Sequence, residues 1–261
     1  MDIVEHNRAS WNKQSTQGSQ WCDPVSPALI QAARTGDWSV ILTPNKKVPR
    51  NWFGSVEGKD ILCLASGGGQ QAPVLAAAGA TVTSFDNSDV QLAKDRLVAE
   101  RDSLSLQTLR GDMADLSAFP DESFDIIFHP VSNVFCEHIE PVWHECFRVL
   151  RFGGRLLSGF MNPSFFLFDH DEAITTGTLT VKHPLPFSDL HDLEESRRKQ
   201  LIADHIAFEF SHSLESQIGG QLKAGFLLSD LYEDDWDDES TPLNKFSPTT
   251  IATLALKMIL Q

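Results

Sequence analysis

The stretch "LCLASGGGQQAP", residues 62–73, places three glycines directly after an apolar run and ends in a proline. The overlapping run "DILCLA", residues 60–65, predicts a buried β-strand. Pro73 suits the first turn of a helix, where its missing N–H costs no hydrogen bond. A strand, a glycine turn and a helix in this order are typical of sites where a nucleotide-like ligand lies against bare backbone.

Strands and helices go on alternating after this turn. Further strands are predicted at "TVTSFD" (81–86), "LQTLRGDM" (106–113), "SFDIIFHP" (123–130), "RLLSGF" (155–160), "HIAFEFSHS" (205–213), "LLSDLYED" (227–234) and "TTIATLALKMIL" (249–260). A helix between the strands at 123–130 and 155–160 is predicted to stop at Gly153 and Gly154. The pattern predicts an α/β fold, a Rossmann-like doubly wound seven-stranded sheet that is mostly parallel, with an antiparallel edge hairpin and helices on both faces.

Composition limits the classes of partner. The chain has 261 residues, of which 41% are hydrophobic and 22% charged, as in ordinary soluble globular proteins. Its net charge is −15, and acid is concentrated in "EDDWDDES", residues 233–240. Because this charge would repel phosphates, we expect no nucleic-acid partner.

The cysteines and the first residues bear on location. No two cysteines have C-x-x-C spacing, which predicts free thiols in a reducing compartment: Cys22, Cys63, Cys136 and Cys146. "MDIVEHNRASWNKQ" lacks the features of a signal peptide, and no apolar run is long enough to span a bilayer. We therefore expect a cytoplasmic protein. "DHDE", residues 169–172, has metal-ligand types but is better interpreted as an acidic surface loop, so no metal is predicted.

Two cofactor classes use such a glycine turn. "GGGQQA", residues 67–72, satisfies G-x-G-x-x-[GA], and Asp86 ends the next strand, where it could bind a ribose hydroxyl. Read alone, this pattern allows an NAD-type oxidoreductase. Asp112, however, follows the third strand beside Met113, where a carboxylate can bind an adenine amine while the neighbour packs the ring. Dinucleotide sites have no routine need for that group.

Longer stretches carry a more specific pattern. They are "ILCLASGGGQQAPVLAAAGATVTSFDNSDVQLAKDR" (61–96), "RGDMADLSAFPDESFDIIF" (110–128), "HECFRVLRFGGRLL" (144–157), and the tail "QLKAGFLLSDLYED" with "IATLALK". In this order they resemble the class I S-adenosylmethionine-dependent methyltransferases, most closely the group around the ubiquinone and menaquinone biosynthesis enzymes. The chain departs from the family pattern at Phe152, where proline is usual, and at Cys63 and Ala65, where an acidic residue and a glycine are usual.

The resemblance implies S-adenosyl-L-methionine as cofactor and methyl transfer to a small-molecule acceptor by in-line displacement. It implies a cofactor site made of Ala65, Ser66, Gly67, Gly69, Gln70, Gln71, Asp86, Asn87, Asp112, Met113, His129, Trp11 and Trp21. The two glutamines could replace the missing carboxylate or simply face solvent, and the two tryptophans could cover the cofactor or pack in the core. A non-catalytic S-adenosylmethionine-binding protein is a further alternative, and a homodimer is possible.

Catalytic candidates are fewer. His129 follows the fourth strand and is either a base or substrate contact or a cap of the strand end. Glu209 and His212 lie three residues apart and could form a carboxylate–histidine pair or an exposed strand end.

The chain divides into four predicted regions. Residues 1–55 form an N-terminal helical lid, and residues 56–162 form the cofactor-binding Rossmann-like core. Residues 163–205 are an inserted lid or substrate region. Residues 206–261 add the C-terminal strands and a helix that complete the same sheet.

Overall fold

A computed structural model describes residues 1–236 and 240–258 of the chain. Part of the acidic stretch 233–240 and the end of the predicted last strand therefore lie outside the described residues. Within them, one sheet contains seven strands in the order β3-β2-β1-β4-β5-β7-β6. The strands are β1 (Asp60–Leu64), β2 (Thr81–Asp86), β3 (Leu106–Arg110), β4 (Phe124–His129), β5 (Leu150–Met161), β6 (Leu227–Asp234) and β7 (Thr250–Leu256).

The first five strands are parallel, and β7 runs antiparallel to both β5 and β6. The predicted doubly wound sheet with an antiparallel edge hairpin is confirmed. From β1 the chain adds β2 and β3 on one side, and β4 then lies on the other side of β1. The strand order therefore reverses between β1 and β4, and such a switch point opens a crevice at the carboxyl ends of the strands.

Alternation along β1 explains why both faces of the sheet are covered. Ile61 and Cys63 belong to one core cluster, and Leu62 and Leu64 belong to another, all with no exposed surface. Helices enclose both clusters: α1 (Ile3–Thr16), α2 (Pro27–Arg34), α3 (Arg50–Phe53), α4 (Gln71–Ala77), α5 (Asp89–Asp102), α6 (Glu140–Val149) and α9 (Gly220–Ala224).

The predicted helix starts have local causes. Pro73 lies in the first turn of α4, as expected. The Ser88 hydroxyl accepts from the Gln91 N–H at 3.2 Å and caps α5. The helix before β5 ends at Val149 rather than at the glycine pair, because β5 begins at Leu150, which pairs with Phe124 of β4. That prediction was wrong by one turn.

The segment 205–213 is not a strand, contrary to the prediction. It makes one isolated bridge, between Phe210 and Ser188. Its backbone bonds go to different segments: Phe208 pairs with the Asn7 side chain, and the Phe210 N–H donates to Val134 O at 2.7 Å. Because no single strand faces it, no ladder forms.

Residues 163–205, which are predicted to be an inserted lid or substrate region, contain α7 (His170–Thr176) and α8 (Glu195–Ala203). Helix α1 lies beside α5 and reaches the segment after the insertion, where the His6 ring bonds Ile206 O at 2.8 Å. The chain outside the sheet thus covers the carboxyl ends of the central strands.

Candidate active site

A cavity of about 360 Å³ lies at the carboxyl ends of β1, β2 and β4. One wall is formed by the glycine turn and the ends of β2 and β3. Helix α1 and residues from the segments 41–44, 130–135 and 206–209 line the other sides. Nearly all the predicted cofactor residues line it: Ala65, Ser66, Gly67, Gln70, Gln71, Asp86, Asn87, Asp112, Met113, Trp11 and Trp21. Gly69 and His129 are not in the lining.

The N–H groups of the three glycines all point into the protein. Gly67 donates to Asp86 Oδ2 at 2.9 Å, Gly68 to Gln91 O at 3.2 Å, and Gly69 to Asp95 Oδ1 at 2.7 Å. A pyrophosphate cradle needs such N–H groups free and tolerates no carboxylates behind them. This arrangement disfavours a dinucleotide and is compatible with a ligand that presents no phosphate to the turn.

The turn also has no room for side chains. A Cβ on Gly67 would lie 2.9 Å from Gln91 Cβ and 3.3 Å from Asp86 Cβ. Gly68 has a φ of +127°, which L side chains rarely adopt. The packing of the turn therefore requires glycine at these positions, and Gly67 contributes only backbone to the cavity lining.

The carboxylates that end β2 and follow β3 differ in their bonding. Asp86 is nearly buried, and its oxygens accept from Gly67 N and, at 2.8 Å, from Ser88 N. Burial raises the pKa of this carboxyl, while the backbone N–H bonds lower it in part. Asp112 accepts from the Ala114 N–H at 3.1 Å and keeps acceptor capacity towards the cavity.

The two glutamines hold the N-terminal region against the turn. Gln70 Nε2 donates to Gln20 O at 2.8 Å and to Asp23 O at 3.1 Å. Gln71 Oε1 accepts from the Ile41 N–H at 3.1 Å. Neither side chain bonds the turn itself. Both link the cavity wall to the covering segments.

The polar side chain that follows β2 also contacts the cover. Asn87 Nδ2 donates to Val4 O in α1 at 2.7 Å. Trp11 packs edge-on to Phe135 with 5.0 Å between ring centroids, and Trp21 lies 5.6 Å from Trp236. All four rings line the cavity. The predicted tryptophans are therefore partly packed against other aromatic rings and partly exposed to the cavity.

The catalytic candidates separate into two groups. His129 is fully buried, with Nδ1 2.9 Å from Leu64 O and Nε2 bonded to the Asn133 side chain. His212 is buried, and its Nε2 donates to Cys136 O at 2.8 Å. Burial lowers the pKa of both rings. Neither histidine lines the cavity.

Glu209 does line the cavity. The hydrogen bonds of the described residues do not join it to His212, so the structure does not form the suggested pair. Burial, together with the nearby Asp189 carboxylate, raises the pKa of Glu209 to about 7. A carboxyl that titrates near neutral pH can accept a proton from a bound molecule and release it again.

The sequence analysis missed the rest of the cavity wall. Most of this surface is apolar and, apart from Met161 at the end of β5, lies outside the sheet and the α-helices: Ile41, Leu42, Pro44, Val131, Val134, Phe135, Phe165, Ile206, Ala207 and Trp236. Loop residues of this kind carry no periodic signal, because neighbours in the wall are far apart in the chain. Val131 and Val134 after β4 and Met161 at the end of β5 lie on the other side of β1 from the carboxylates of β2 and β3, so this side of the cavity is apolar.

Comparison with known proteins agrees with the geometry. The family described as "Methyltransferase domain" matches residues 62–158. A crystal structure of an S-adenosylmethionine-dependent methyltransferase from Mesorhizobium loti has the same fold, with a TM-score of 0.60 at 17% identity over 79% of this chain and 94% of that one. The fold and site define a Rossmann-like methyltransferase.

Proteins with similar sequences identify the family of this chain. The uncharacterized methyltransferase YbaJ of Bacillus subtilis (strain 168) is 52% identical over 98% of this chain and 99% of its own length. Sterol 24-C-methyltransferase erg6 of Aspergillus fumigatus is 35% identical over 105 residues, which are 39% of this chain and 28% of that protein. This chain belongs to the class I S-adenosylmethionine-dependent methyltransferases.

S-adenosyl-L-methionine is accordingly the cofactor, and the residues present fit it. The bare backbone at Gly67, the acceptors on Asp86 and Asp112 and the aromatic cover suit a nucleoside with a cationic, phosphate-free tail. In the described residues, His, Cys, Asp and Glu do not gather into a metal-binding group. The described helices are too short or too polar to cross a membrane.

Proposed function

We propose that the protein transfers a methyl group to an apolar small molecule bound on the loop-derived side of the cavity. The observation that carries the proposal is the two-sided lining. The turn and the ends of β2 and β3 offer backbone and carboxylate acceptors, while the lining at the ends of β4 and β5 is mostly apolar. Glu209 adds a carboxyl group to the lining. S-adenosylmethionine supplies a sulfonium-activated methyl group that an acceptor can displace in line.

The cofactor residues are proposed with distinct roles. Asp86 accepts from ribose hydroxyls, and Asp112 accepts from the adenine amine while Met113 packs the ring. Ala65, Ser66 and Gly67 contact the methionyl part, Asn87 bounds the ribose side, and Gly69 and the two glutamines support this wall. Trp11 and Trp21 cover the bound molecule.

Glu209 is the proposed catalytic base among the three candidates. It combines a position in the cavity with a pKa raised to about 7. His129 and His212 are assigned structural roles, because their ring nitrogens bond to Leu64, Asn133 and Cys136. A base is needed where the attacking atom is protonated at neutral pH.

The sterol methyltransferase relative supports the acceptor class. Its name describes methylation of a sterol, a largely apolar molecule, and its similarity covers 105 residues, which are 39% of this chain. The apolar loop wall supports the same class independently. A cytoplasmic location is also proposed, supported by four cysteines that are all free thiols. A homodimer remains a prediction that sedimentation can test.

The first test is ligand-dependent thermal unfolding. S-adenosylhomocysteine should raise the melting temperature and NAD should not, since a ligand that binds the folded state stabilises it. Protection by NAD alone would contradict the cofactor site. Methyl transfer from labelled S-adenosylmethionine should then be measured with apolar alcohols, amines and alkenes, and with polar acceptors of similar size. Binding without transfer to any of them would favour a non-catalytic binding protein.

A further inference from the structure

Asp95 is a fully buried carboxylate that the proposed chemistry does not use. It lies in the second turn of α5, has no exposed surface and is absent from the cavity lining. Burying a carboxylate is unfavourable unless hydrogen bonds compensate for the lost water. Asp95 therefore needs hydrogen-bond donors in the core to compensate for its burial.

Both carboxylate oxygens have strong partners. Oδ1 accepts from the Gly69 N–H at 2.7 Å, and Oδ2 accepts from the Ser84 hydroxyl of β2 at 2.6 Å. Gly69 lies at the end of the glycine turn, 26 residues earlier in the chain. Asp95 therefore joins α5, β2 and the turn at one buried point.

Gly69 has little freedom on its other sides. Its φ is +79°, and an added Cβ would lie 3.1 Å from Pro24 Cα and 3.2 Å from Lys94 O. Its carbonyl accepts from the Val25 N–H at 2.8 Å. Gly69 is therefore bonded on two sides: its carbonyl to Val25 of the N-terminal segment, and its N–H to the buried Asp95.

We propose that Asp95 is a positioning residue, which through its bond to Gly69 fixes the shape of the turn that receives the cofactor. Asp86 holds the other end of the same turn through Gly67. The two carboxylates thus hold alternate glycines and fix the course of the turn between Gly67 and Gln70, which both line the cavity. This inference rests on the proposed cofactor site.

The role needs the shape of the side chain rather than its charge. Burial, with a smaller contribution from the Asp86 carboxylate, raises the pKa of Asp95 to about 7. The hydrogen bonds from Ser84 and Gly69 and the charge of Arg96 act in the opposite direction. Cys63 of β1 also lies close enough for the Asp95 charge to raise the pKa of its thiol. A neutral acid would donate from Oδ2 to Ser84 and still accept from Gly69, and an asparagine can do the same.

The test compares Asp95→Ala, Asp95→Asn and the wild type by calorimetric titration with S-adenosylhomocysteine. Removing the acceptor frees Gly69, so Asp95→Ala should weaken binding by about tenfold or more. Asp95→Asn should stay within about threefold of the wild type. Cys146→Ala, a buried substitution in α6 on the opposite face, is the control for general destabilisation and should leave affinity unchanged.

Wild-type affinity in a folded Asp95→Ala protein would overturn the proposal. So would equal losses in Asp95→Asn and Asp95→Ala, because charge rather than shape would then matter. If Asp95→Ala does not fold, the amide resonance of Gly69 provides the test. It should shift with pH near 7 in the wild type and stay constant in Asp95→Asn, and an unresponsive wild-type resonance would contradict the contact. If the wild type binds no S-adenosylhomocysteine, the proposed cofactor site is refuted. The pH dependence of the Gly69 resonance then still tests the contact between Asp95 and Gly69.

Discussion

Glu209 and Asp189 are joined by a pair of hydrogen bonds. The Glu209 N–H donates to Asp189 Oδ2 at 2.9 Å, and the Asp189 N–H donates to Glu209 O at 3.0 Å. These two hydrogen bonds connect the loop that contains Asp189 to the segment that carries Glu209, the proposed base. Burial raises the pKa of Asp189 to about 6, although the hydrogen bond from the Glu209 N–H and the charge of Arg197 lower it. Burial, together with the Asp189 charge, raises the pKa of Glu209 to about 7.

Glu209→Gln should reduce methyl transfer without weakening cofactor binding. Loss of a general base lowers kcat by about 100-fold or more when the nucleophile is protonated. The wild-type rate should rise with pH through about 7, as Glu209 ionises, and this rise should be missing in the variant. Steady-state kinetics across pH 5–9 and calorimetry with S-adenosylhomocysteine are the measurements. An unchanged pH profile would remove Glu209 from the chemistry.

The same substitution should change stability in a pH-dependent way. The folded-state pKa of Glu209 lies above the ordinary value of 4.5, so its stabilising form is the neutral one. That contribution is complete below about pH 4.5 and is lost as the pH rises through about 7. Glu209→Gln should therefore melt about 2–4 °C higher than the wild type at pH 8 and at a similar temperature at pH 5.

The exposed Glu100→Gln in α5 removes the same charge without a buried carboxyl and should show no such pH dependence. A Glu209→Gln curve parallel to that of the wild type would contradict the raised pKa.

Asp112→Asn should weaken S-adenosylhomocysteine binding by about tenfold, because the amide places a donor where the adenine amine needs an acceptor. The value of kcat at saturating cofactor should change little, since the residue does not reach the acceptor side. The neighbouring Asp115→Asn alters an exposed carboxylate outside the cavity lining and is the matched control. Equal affinities of the two variants would refute the adenine role.

Replacing Gln70 and Gln71 together by alanine should loosen the N-terminal cover. The variant loses three hydrogen bonds to Gln20, Asp23 and Ile41. We expect a several-fold weaker affinity for S-adenosylhomocysteine and faster proteolysis before α2. Calorimetry and limited digestion measure the two effects, with the exposed Gln107→Ala in β3 as the control. Unchanged affinity would leave the glutamines without a role in the site.

His129→Ala should act on stability rather than on chemistry. The ring is buried and bonded at both nitrogens, so its loss should cost about 2–4 kcal/mol of unfolding free energy. Denaturant titration measures this cost. The pH profile of kcat in the folded variant should keep the shape of the wild-type profile, and a lost limb near neutral pH would restore His129 as a candidate base.

Much of the cofactor wall was predictable from short-range pattern. Three of its features follow each other within 27 residues: the apolar run of β1, the glycine turn and the acid that ends β2. Each of them has a local cause. Asp112 was predictable for the same reason, since it follows directly on β3. The conformation of the segment 205–213 was not predictable, because a strand-like composition does not show whether a neighbouring strand is available for pairing.

The sequence by itself determined the mostly parallel sheet and its edge hairpin, because periodic burial and turn chemistry act over a few residues. Its resemblance to the class I methyltransferases implied the cofactor. Only the tertiary structure decided which side chains meet across long separations. It placed Asp95 beneath Gly69, tied Gln70 to the N-terminal segment, buried His129 and His212 away from the cavity and left Glu209 within it. These contacts depend on how loops and helices pack around the finished sheet, and local pattern does not encode that packing.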